Sequence, residues 1–241
     1  MRKFLGWVAV LVVSGAVAAC SDRDERPAPR PSNEDPVATG SIPRPSLDSA
    51  KSPGPLQTAV VAGGCFWGVQ GVYQHVKGVR NVLSGYAGGD KASADYLTVS
   101  GGSTEHAESV EIRFDPAQIS YGEILQIFFA VAHDPTQLNR QGPDSGTQYR
   151  SAIFYADETQ KQIAEGYIAQ LEALQAFPER IVTRVDALPG FYAAEDYHQD
   201  YLVNHPDNPY IAYNDLPKVR DLERRFPEYW RADPALVRDA K

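Results

Sequence analysis

A short apolar strand that runs into two glycines and a cysteine is the feature that most constrains how this chain folds. Residues 59–62 are typical of a buried strand, and Gly63 and Gly64 supply the bend after it. Apolar residues then recur at helical spacing over residues 69–76. The pattern predicts a strand-to-helix turn with Cys65 at or just before the first turn of the helix.

A cysteine at a helix N-terminus has the setting of a reactive thiol. The unpaired backbone N–H groups and the positive end of the helix dipole favour a thiolate over a thiol. Phe66 and Trp67, which follow Cys65, can form a wall for a small apolar group. This predicts redox or nucleophilic chemistry on a sulfur-bearing or otherwise soft substrate. The alternative is that Cys65 is a small buried hydrophobe, which is common for a single cysteine in an apolar turn.

The N-terminal residues are typical of an export signal. Arg2 and Lys3 precede an apolar run over residues 4–13, which is short for a membrane span, and small residues lead to Cys20. Residues 17–20 resemble a bacterial lipobox. The resemblance implies cleavage after residue 19, lipidation of Cys20, and a location in the cell envelope on the periplasmic side, leaning towards the outer membrane. An ordinary cleaved signal and secretion remain the alternative.

Composition divides the rest of the chain. Residues 20–57 are rich in proline, serine and charged residues, which predicts a flexible tether. Residues 58–231 are long enough for one domain, and residues 232–241 form a short tail. The net charge of −8 argues against a nucleic-acid partner. No coiled-coil pattern is evident, so we expect a monomer.

The two cysteines, Cys20 and Cys65, bear on the chemistry. An even number in an exported chain usually indicates a disulfide. If Cys20 carries lipid it cannot pair, and Cys65 is then a solitary exported thiol.

Short strands and helices alternate without a regular rhythm, which predicts a single compact α+β domain. Ser120 and Glu123 have the spacing of a helix capping box, and Asp157 has the position of a second helix cap. Strands are predicted over residues 79–86, 109–114, 151–155 and 181–185, and helices over residues 121–132, after residue 157, from about residue 192 and over residues 215–225.

Several polar residues lie in turns instead of on regular faces. Tyr96 lies between two glycine pairs, and Glu108 lies at the start of a predicted strand. Asp144 and Tyr149 lie within residues 140–150, which have neither helical nor strand periodicity. These residues are candidates for a site.

Six motifs resemble those of the type A peptide methionine sulfoxide reductases, and they occur in the family's order over residues 59–201. They are GCFWG at residues 64–68, GYAGG at 85–89, HAES at 106–109, HDPTQ at 133–137, RQGPDSGTQYRSAI at 140–153 and FYAAEDYHQDY at 191–201. The resemblance implies a ferredoxin-like core with a mixed or antiparallel sheet flanked by helices. It also implies reduction of methionine S-sulfoxide, in proteins and as the free amino acid.

The resemblance assigns a role to each candidate. Cys65 is the nucleophile that attacks the sulfoxide sulfur and becomes a sulfenic acid. Glu108 is the acid, with a pKa raised by burial so that it holds a proton near neutrality. The remaining roles are oxygen-binding phenols for Tyr96 and Tyr149, a methyl pocket for Phe66 and Trp67, and contacts to the substrate backbone for Asp144 and His198.

The chain departs from the family pattern after Tyr201, because it has no resolving cysteine there. We therefore expect an external reductant: a thioredoxin-like protein, glutaredoxin or a small thiol. Cys20 without lipid is the remaining internal candidate. The histidine spacings fit no zinc motif, so we expect no bound metal or other cofactor.

Two other functions remain open at this stage. A cysteine-based peroxidase or thiol hydrolase would need a base beside the nucleophile, and the sequence has no cysteine–histidine motif that supplies one. A lipoprotein that binds apolar peptides through Phe66 and Trp67 would function without the Cys65 thiol.

Overall fold

The computed structural model of the chain describes residues 42–237. The strands in this part are β1 (Gln57–Gly63), β2 (Val79–Ala87), β3 (Ala107–Phe114), β4 (Arg140–Gln141), β5 (Asp144–Ser145), β6 (Ser151–Tyr155), β7 (Arg184–Ala187) and β8 (Phe191–Ala193). Six of them form one sheet in the order β7-β6-β1-β3-β2-β8, in which only the β6–β7 pair is parallel. Strands β4 and β5 pair separately.

The helices pack on this sheet. They are α1 (Phe66–Gln74), α2 (Tyr96–Ser100), α3 (Tyr121–Ile127), α4 (Glu158–Ala173), α5 (Tyr201–Asn204) and α6 (Leu216–Arg225). Every residue of α1 except Trp67 is buried, and α3 is buried throughout. The larger core therefore forms between these helices and the sheet, where Val61 of β1 joins Val69 and Val72 of α1. The α+β architecture predicted from the sequence is confirmed.

Local signals in the sequence position most of these elements. The Ser120 hydroxyl accepts a hydrogen bond from the Glu123 N–H, and the Glu123 carboxylate accepts one from the Ser120 N–H, which completes the predicted capping box. Asp157 caps α4 through the N–H of Gln160. The predicted helix over residues 121–132 divides into α3 and a π-helical turn, Phe128–Ala132.

The predicted helix from about residue 192 is wrong. Residues 191–193 form the edge strand β8, which pairs with residues 85–87 of β2. Gly85 allows this approach, because a Cβ there would clash with the Phe191 ring and with the Tyr192 carbonyl oxygen. The predicted strand over residues 181–185 is also displaced, because β7 begins at Arg184.

Residues 42–56, which we call the strap, lie in the predicted tether but pack on the domain. The Ile42 side chain is buried, its carbonyl accepts a hydrogen bond from Gln126 Nε2 at 2.8 Å, and the Pro43 carbonyl accepts one from the Tyr167 hydroxyl at 2.7 Å. Asp48 accepts hydrogen bonds from the Ser120 hydroxyl at 2.5 Å and the Gly122 N–H at 2.8 Å. The folded domain therefore includes residues from Ile42 onward.

A buried carboxylate fastens the strap to the C-terminal part of the chain. Glu123 lies 3.0 Å from an Arg44 guanidinium nitrogen and 2.7 Å from Lys51 Nζ, and it accepts a hydrogen bond from the Tyr229 hydroxyl. Glu123 is almost fully buried, so these partners supply the charge and hydrogen bonds that it loses from water.

The predicted signal peptide, the lipidation site Cys20 and the tether up to residue 41 lie outside the described residues, as do residues 238–241 of the tail. The preceding part of the predicted tail packs on the domain, because the Ala235 N–H donates to the Gln74 carbonyl and Leu236 is buried. Within residues 42–237, no helix has the length and apolar character needed to cross a membrane.

Candidate active site

Cys65 is the N-cap residue of α1, as the sequence predicted. Gly64 turns the chain there with a φ of +89°, and a Cβ at Gly64 would clash with the Gln141 side chain at 2.5 Å. The Cys65 side chain is 8% exposed and borders a cavity of about 60 Å³ shared with Asp144 and Lys218. The thiol is therefore buried but accessible from a small pocket.

Glu108 projects from β3 to the N-terminus of α1. Its Oε2 accepts a hydrogen bond from the Phe66 N–H at 3.1 Å, and the residue is 3% exposed. Burial raises the pKa of Glu108 to about 8; the Phe66 N–H opposes this shift, and the negative charges of Asp144 and Asp215 add to it. At neutral pH Glu108 therefore holds a proton that it can donate.

The protonation state of Cys65 differs from the expectation based on its position in the helix. Burial, followed by the charges of Glu108 and Asp215, raises the pKa of the thiol, whereas the Trp67 N–H and the Lys218 ammonium lower it. From the sequence, the N–H groups at the start of α1 were expected to stabilise a thiolate. The Phe66 N–H instead donates a hydrogen bond to Glu108. The resting group is therefore a thiol.

Tyr96 and Tyr149 approach the same carboxyl group from two different segments. Tyr96 begins α2, and Tyr149 ends the 3-10 turn Thr147–Tyr149. Burial, followed by the charge of Glu108, raises the pKa of both phenols, which keeps them protonated. Neither hydroxyl makes a hydrogen bond within the described part of the chain, so both can donate to a bound ligand.

Glu195 holds the segment that carries Tyr96 in place. Sequence reasoning did not assign Glu195 to the site. One carboxylate oxygen accepts from the Tyr96 N–H at 2.9 Å, and the other accepts from the Tyr86 hydroxyl at 3.0 Å. Glu195 lies in the FYAAEDYHQDY motif that carried part of the resemblance, but nothing in the sequence alone connects it with Tyr96.

Phe66 and Trp67 form an aromatic wall whose geometry is fixed by neighbouring rings. Phe66 packs against Tyr86, with a centroid separation of 5.9 Å. Trp67 stacks on Tyr201 with centroids 3.8 Å apart and meets the ring of Tyr210 edge-on at 6.1 Å. Tyr201 and Tyr210 are further residues that sequence reasoning did not assign to the site.

His198 lies behind this wall. Its Nδ1 accepts a hydrogen bond from Trp67 Nε1 at 3.2 Å, and its ring lies 5.0 Å from Phe66 and 4.5 Å from Tyr96. Burial lowers the pKa of His198, so the ring is neutral with its proton on Nε2. The structure thus connects His198 with the aromatic wall.

Asp144, in β5, lines the same cavity as Cys65. It accepts a hydrogen bond from the Tyr210 hydroxyl. The run of residues 140–150, predicted as an irregular loop, contains the β4–β5 hairpin and one 3-10 turn. This compact arrangement carries both Asp144 and Tyr149 to the site.

Asp215 and Lys218 complete the charged surroundings of the cysteine, and sequence reasoning missed both. Asp215 is fully buried, and its Oδ1 accepts a hydrogen bond from Lys218 Nζ at 3.1 Å. Lys218 borders the cavity beside Cys65. Gly68 is the signal that could have revealed them, because a glycine inside a helix often marks a close approach by another group.

Over residues 42–237, no three His, Cys, Asp or Glu side chains group closely enough to hold a metal ion.

Comparison with known proteins identifies a family. The model of the family described as peptide methionine sulfoxide reductase matches residues 57–230. Among curated relatives, peptide methionine sulfoxide reductase MsrA 2 of Mesorhizobium japonicum is 57% identical over 194 residues, which cover 80% of this chain and 99% of that protein. A protein of the same name from Synechocystis sp. is 54% identical over 176 residues, covering 73% of this chain and 82% of that protein.

Solved structures agree as well. Reduced Mxr1 of Saccharomyces cerevisiae has a TM-score of 0.57 at 30% identity, covering 68% of this chain and 92% of that one. Methionine sulfoxide reductase A of Corynebacterium diphtheriae has a TM-score of 0.54 at 35% identity, covering 69% of this chain and 87% of that one. The chain belongs to the type A peptide methionine sulfoxide reductase family. It is an oxidoreductase, a peptide-methionine (S)-S-oxide reductase.

Proposed function

We propose that this enzyme reduces methionine S-sulfoxide through a sulfenic acid on Cys65, that an external thiol regenerates the cysteine, and that it repairs oxidised proteins of the cell envelope. The observation that supports the chemical part is that a protonated carboxyl group, Glu108, lies near one buried thiol together with two phenols whose hydroxyls make no hydrogen bond among residues 42–237. These groups match what a sulfoxide needs, because its oxygen must gain hydrogen bonds and a proton before it can leave sulfur.

The first step transfers oxygen from the substrate to the enzyme. The Tyr96 and Tyr149 hydroxyls donate hydrogen bonds to the sulfoxide oxygen, and Glu108 donates its proton to that oxygen. The Cys65 thiol passes its proton to the carboxylate that Glu108 has become, and its sulfur attacks the substrate sulfur to form a sulfur–sulfur bond. That bond and the sulfur–oxygen bond of the substrate then break as the oxygen moves to Cys65, where it remains as S–OH. Cysteine sulfur is oxidised by two electrons, sulfoxide sulfur is reduced by two, and the methionine thioether leaves.

We assign substrate selection to the aromatic wall and to Asp144 at the cavity. Phe66 and Trp67 contact the S-methyl group, which is apolar and fits between rings held by Tyr201 and His198. Asp144, already bonded to Tyr210, accepts a hydrogen bond from the substrate backbone. In this assignment His198 supports Trp67 instead of contacting the substrate.

The second step restores the thiol. Cys65 is the one cysteine of residues 42–237, so a first external thiol forms a mixed disulfide with Cys65 and releases water. A second thiol then releases Cys65 and leaves with the first as a disulfide. A thioredoxin-like protein, glutaredoxin or a small thiol can supply both.

The proposed location rests on the N-terminal sequence alone. The charged start, the short apolar run and the small residues before Cys20 support export followed by lipid anchoring. We propose that the enzyme works as a monomer at the membrane surface. Incorporation of radiolabelled palmitate is measured in cells that express the wild type or Cys20→Ser. If the protein is a lipoprotein, only the wild type should be labelled; if it is an ordinary secreted enzyme, neither should be.

The chemical proposal is tested in the Cys20→Ser chain, in which Cys65 is the single thiol. Without reductant, one equivalent of methionine S-sulfoxide should be reduced per enzyme, and dimedone should then label Cys65. Cys65→Ser in the same chain should release no methionine, and the R epimer should not be reduced. Methionine release without a Cys65 adduct would refute the sulfenic acid route, and turnover of peroxide or esters in place of the sulfoxide would favour the other enzyme classes.

A further inference from the structure

A buried ion pair lies against the helix that carries the nucleophile. Asp215 is the N-cap residue of α6, and Lys218 follows it by one turn of the same helix, with 3.1 Å between Nζ and Oδ1. Asp215 is fully buried and the Lys218 side chain is 19% exposed. The pair is therefore largely withdrawn from water, and its ammonium group has few positions available.

The position of the pair is set by Gly68 in the first turn of α1. A Cβ added there would lie 2.6 Å from Asp215 Cγ and 3.0 Å from Lys218 Nζ, so the missing side chain is what admits the pair. The N-terminal end of a helix carries a partial positive charge, and a cation beside it is unfavourable unless anions are close. Asp215 is one such anion. The second Asp215 oxygen, Oδ2, is buried without a hydrogen-bond partner among residues 42–237.

Lys218 also borders the cavity onto which Cys65 opens. The titratable groups that face Cys65 come from every element around it. They are Glu108 of β3, Asp144 of β5, Tyr96 of α2, Tyr149 of the 3-10 turn, Tyr210, and Asp215 and Lys218 at the start of α6. Lys218 is the cation of this set, and the other members are carboxyl groups or phenols.

A negative charge forms on the Cys65 sulfur when the thiol loses its proton before the attack, and the neighbouring carboxylates disfavour that charge. Opposite charges within a partly buried site stabilise one another more strongly than they do in water. The Lys218 ammonium is held at the cavity wall by Asp215, so it need not reorganise when the charge forms.

We propose that Lys218 is a positioning residue of this enzyme: its ammonium group, fixed by Asp215 in the space left by Gly68, is the counter-ion of the Cys65 thiolate. The proposal rests on the proposed role of Cys65 as nucleophile and adds a residue to it. In this arrangement Glu108 gives its proton to the substrate, and Lys218 offsets the charge that the thiol leaves behind.

The test measures the thiolate directly, without substrate. The rate of alkylation of Cys65 by iodoacetamide is followed from pH 6 to pH 10 in the full chain with Cys20→Ser. Lys218→Gln keeps an N–H donor for Asp215 but removes the charge. It should move the midpoint of the alkylation curve upward by about one unit, which is a loss of about tenfold in rate below the midpoint. Lys218→Arg should leave the midpoint close to that of wild type.

Arg220→Gln provides the matched control, because it removes a cation from an exposed position of the same helix. It should not move the midpoint. Lys218→Met, a second neutral variant, should shift the midpoint in the same direction as Lys218→Gln, and thermal melts establish that each variant is folded.

Equal midpoints for wild type and both neutral variants would overturn the proposal, and so would an equal shift in Arg220→Gln. These results are independent of the proposed function, whose failure would be seen as turnover by Cys65→Ser. With both proposals correct, Lys218→Gln should also lower kcat/KM for methionine S-sulfoxide about tenfold at pH 7, and Lys218→Arg should restore most of it.

Discussion

The carboxyl group of Glu108 lies against the N–H of Phe66, 3.1 Å from Oε2 to nitrogen, so one side chain of β3 both caps α1 and faces the cysteine before it. Strand β3 lies between β1 and β2 and pairs antiparallel with both, and Glu108 itself pairs with Tyr86 of β2. The distance between acid and nucleophile is therefore set by the sheet and not by a mobile loop.

Replacing Glu108 by Gln should remove the proton donor while keeping an oxygen acceptor for the Phe66 N–H. We expect kcat/KM for methionine S-sulfoxide to fall by about 10²–10⁴, the range typical of a lost general acid. Because the pKa of Glu108 is about 8, wild-type activity should also decline above pH 8, and the variant should lack that decline. Stopped assays of product from pH 6 to pH 10 measure both.

Glu111→Gln is the control, since Glu111 lies on the same strand but is partly exposed. It should retain wild-type activity at every pH. If Glu108→Gln has the same kcat/KM as wild type, the sulfoxide oxygen receives its proton from another group.

His133 should make the domain sensitive to acid. Its Nδ1 donates to the Phe128 carbonyl, its Nε2 accepts from the Ser151 hydroxyl at 2.7 Å, and burial lowers its pKa to about 4. The unfolded chain binds this proton near pH 6.5, so the stability that neutral His133 provides is complete above pH 6.5 and is lost as pH falls towards 4. The loss amounts to about 3 kcal/mol in the free energy of unfolding at pH 4.

Urea unfolding of wild type and His133→Gln at intervals from pH 7 to pH 4 checks this. The variant should be less stable at pH 7 but should lose less stability on acidification. His205→Gln, at an exposed histidine, should keep the wild-type slope. Parallel slopes for wild type and His133→Gln would contradict the assignment.

Gly68 and Gly166 should respond in opposite directions to the same substitution. Gly68→Ala places a methyl group 2.6 Å from Asp215 Cγ, and we expect a loss of about 1–3 kcal/mol in the free energy of unfolding from overpacking. Gly166 of α4 has no atom within 4 Å of its added Cβ, so Gly166→Ala should stabilise the domain by about 0.5–1 kcal/mol through helix propensity. Thermal melts of the two variants measure both changes in stability. A Gly68→Ala variant more stable than wild type would mean that Asp215 moves aside at little cost.

Local sequence signals correctly predict the elements whose conformation is determined by residues close together in the chain. The change from strand to helix periodicity located Cys65 at the start of α1, and the capping box located the start of α3. They failed at β8, which is only three residues long and is defined by pairing with β2, far away in the sequence. A short edge strand has no periodicity of its own from which to predict it.

In the site, too, features set by nearby residues could be predicted and features set by distant residues could not. The motif residues could be assigned from the sequence, but the charge state of Cys65 could not, because burial and the carboxyl groups of β3 and α6 outweigh the helix dipole. Lys218 was missed for a related reason: its proximity to Cys65 depends on how α6 packs on α1. Only the folded chain contains that information.

Asp48 should stabilise the domain although it lies in a segment without helix or strand. Asp48→Ala removes the acceptor for the Ser120 hydroxyl and the Gly122 N–H at the start of α3, so we expect a loss of about 1–2 kcal/mol. Asp207→Ala, at an exposed aspartate, should change stability by less than about 0.5 kcal/mol. Urea unfolding compares the two, and equal effects would show that the strap only rests on the surface.

The strap also determines how mechanical load enters the domain. A pull on the chain before Ile42 acts first on the hydrogen bonds of Ile42 and Pro43, and on the ion pairs of Glu123, before it reaches β1. These contacts can yield one after another while the sheet and the cysteine turn keep their geometry. An enzyme pulled from its N-terminal side would thus give way at the strap while the active site is still intact.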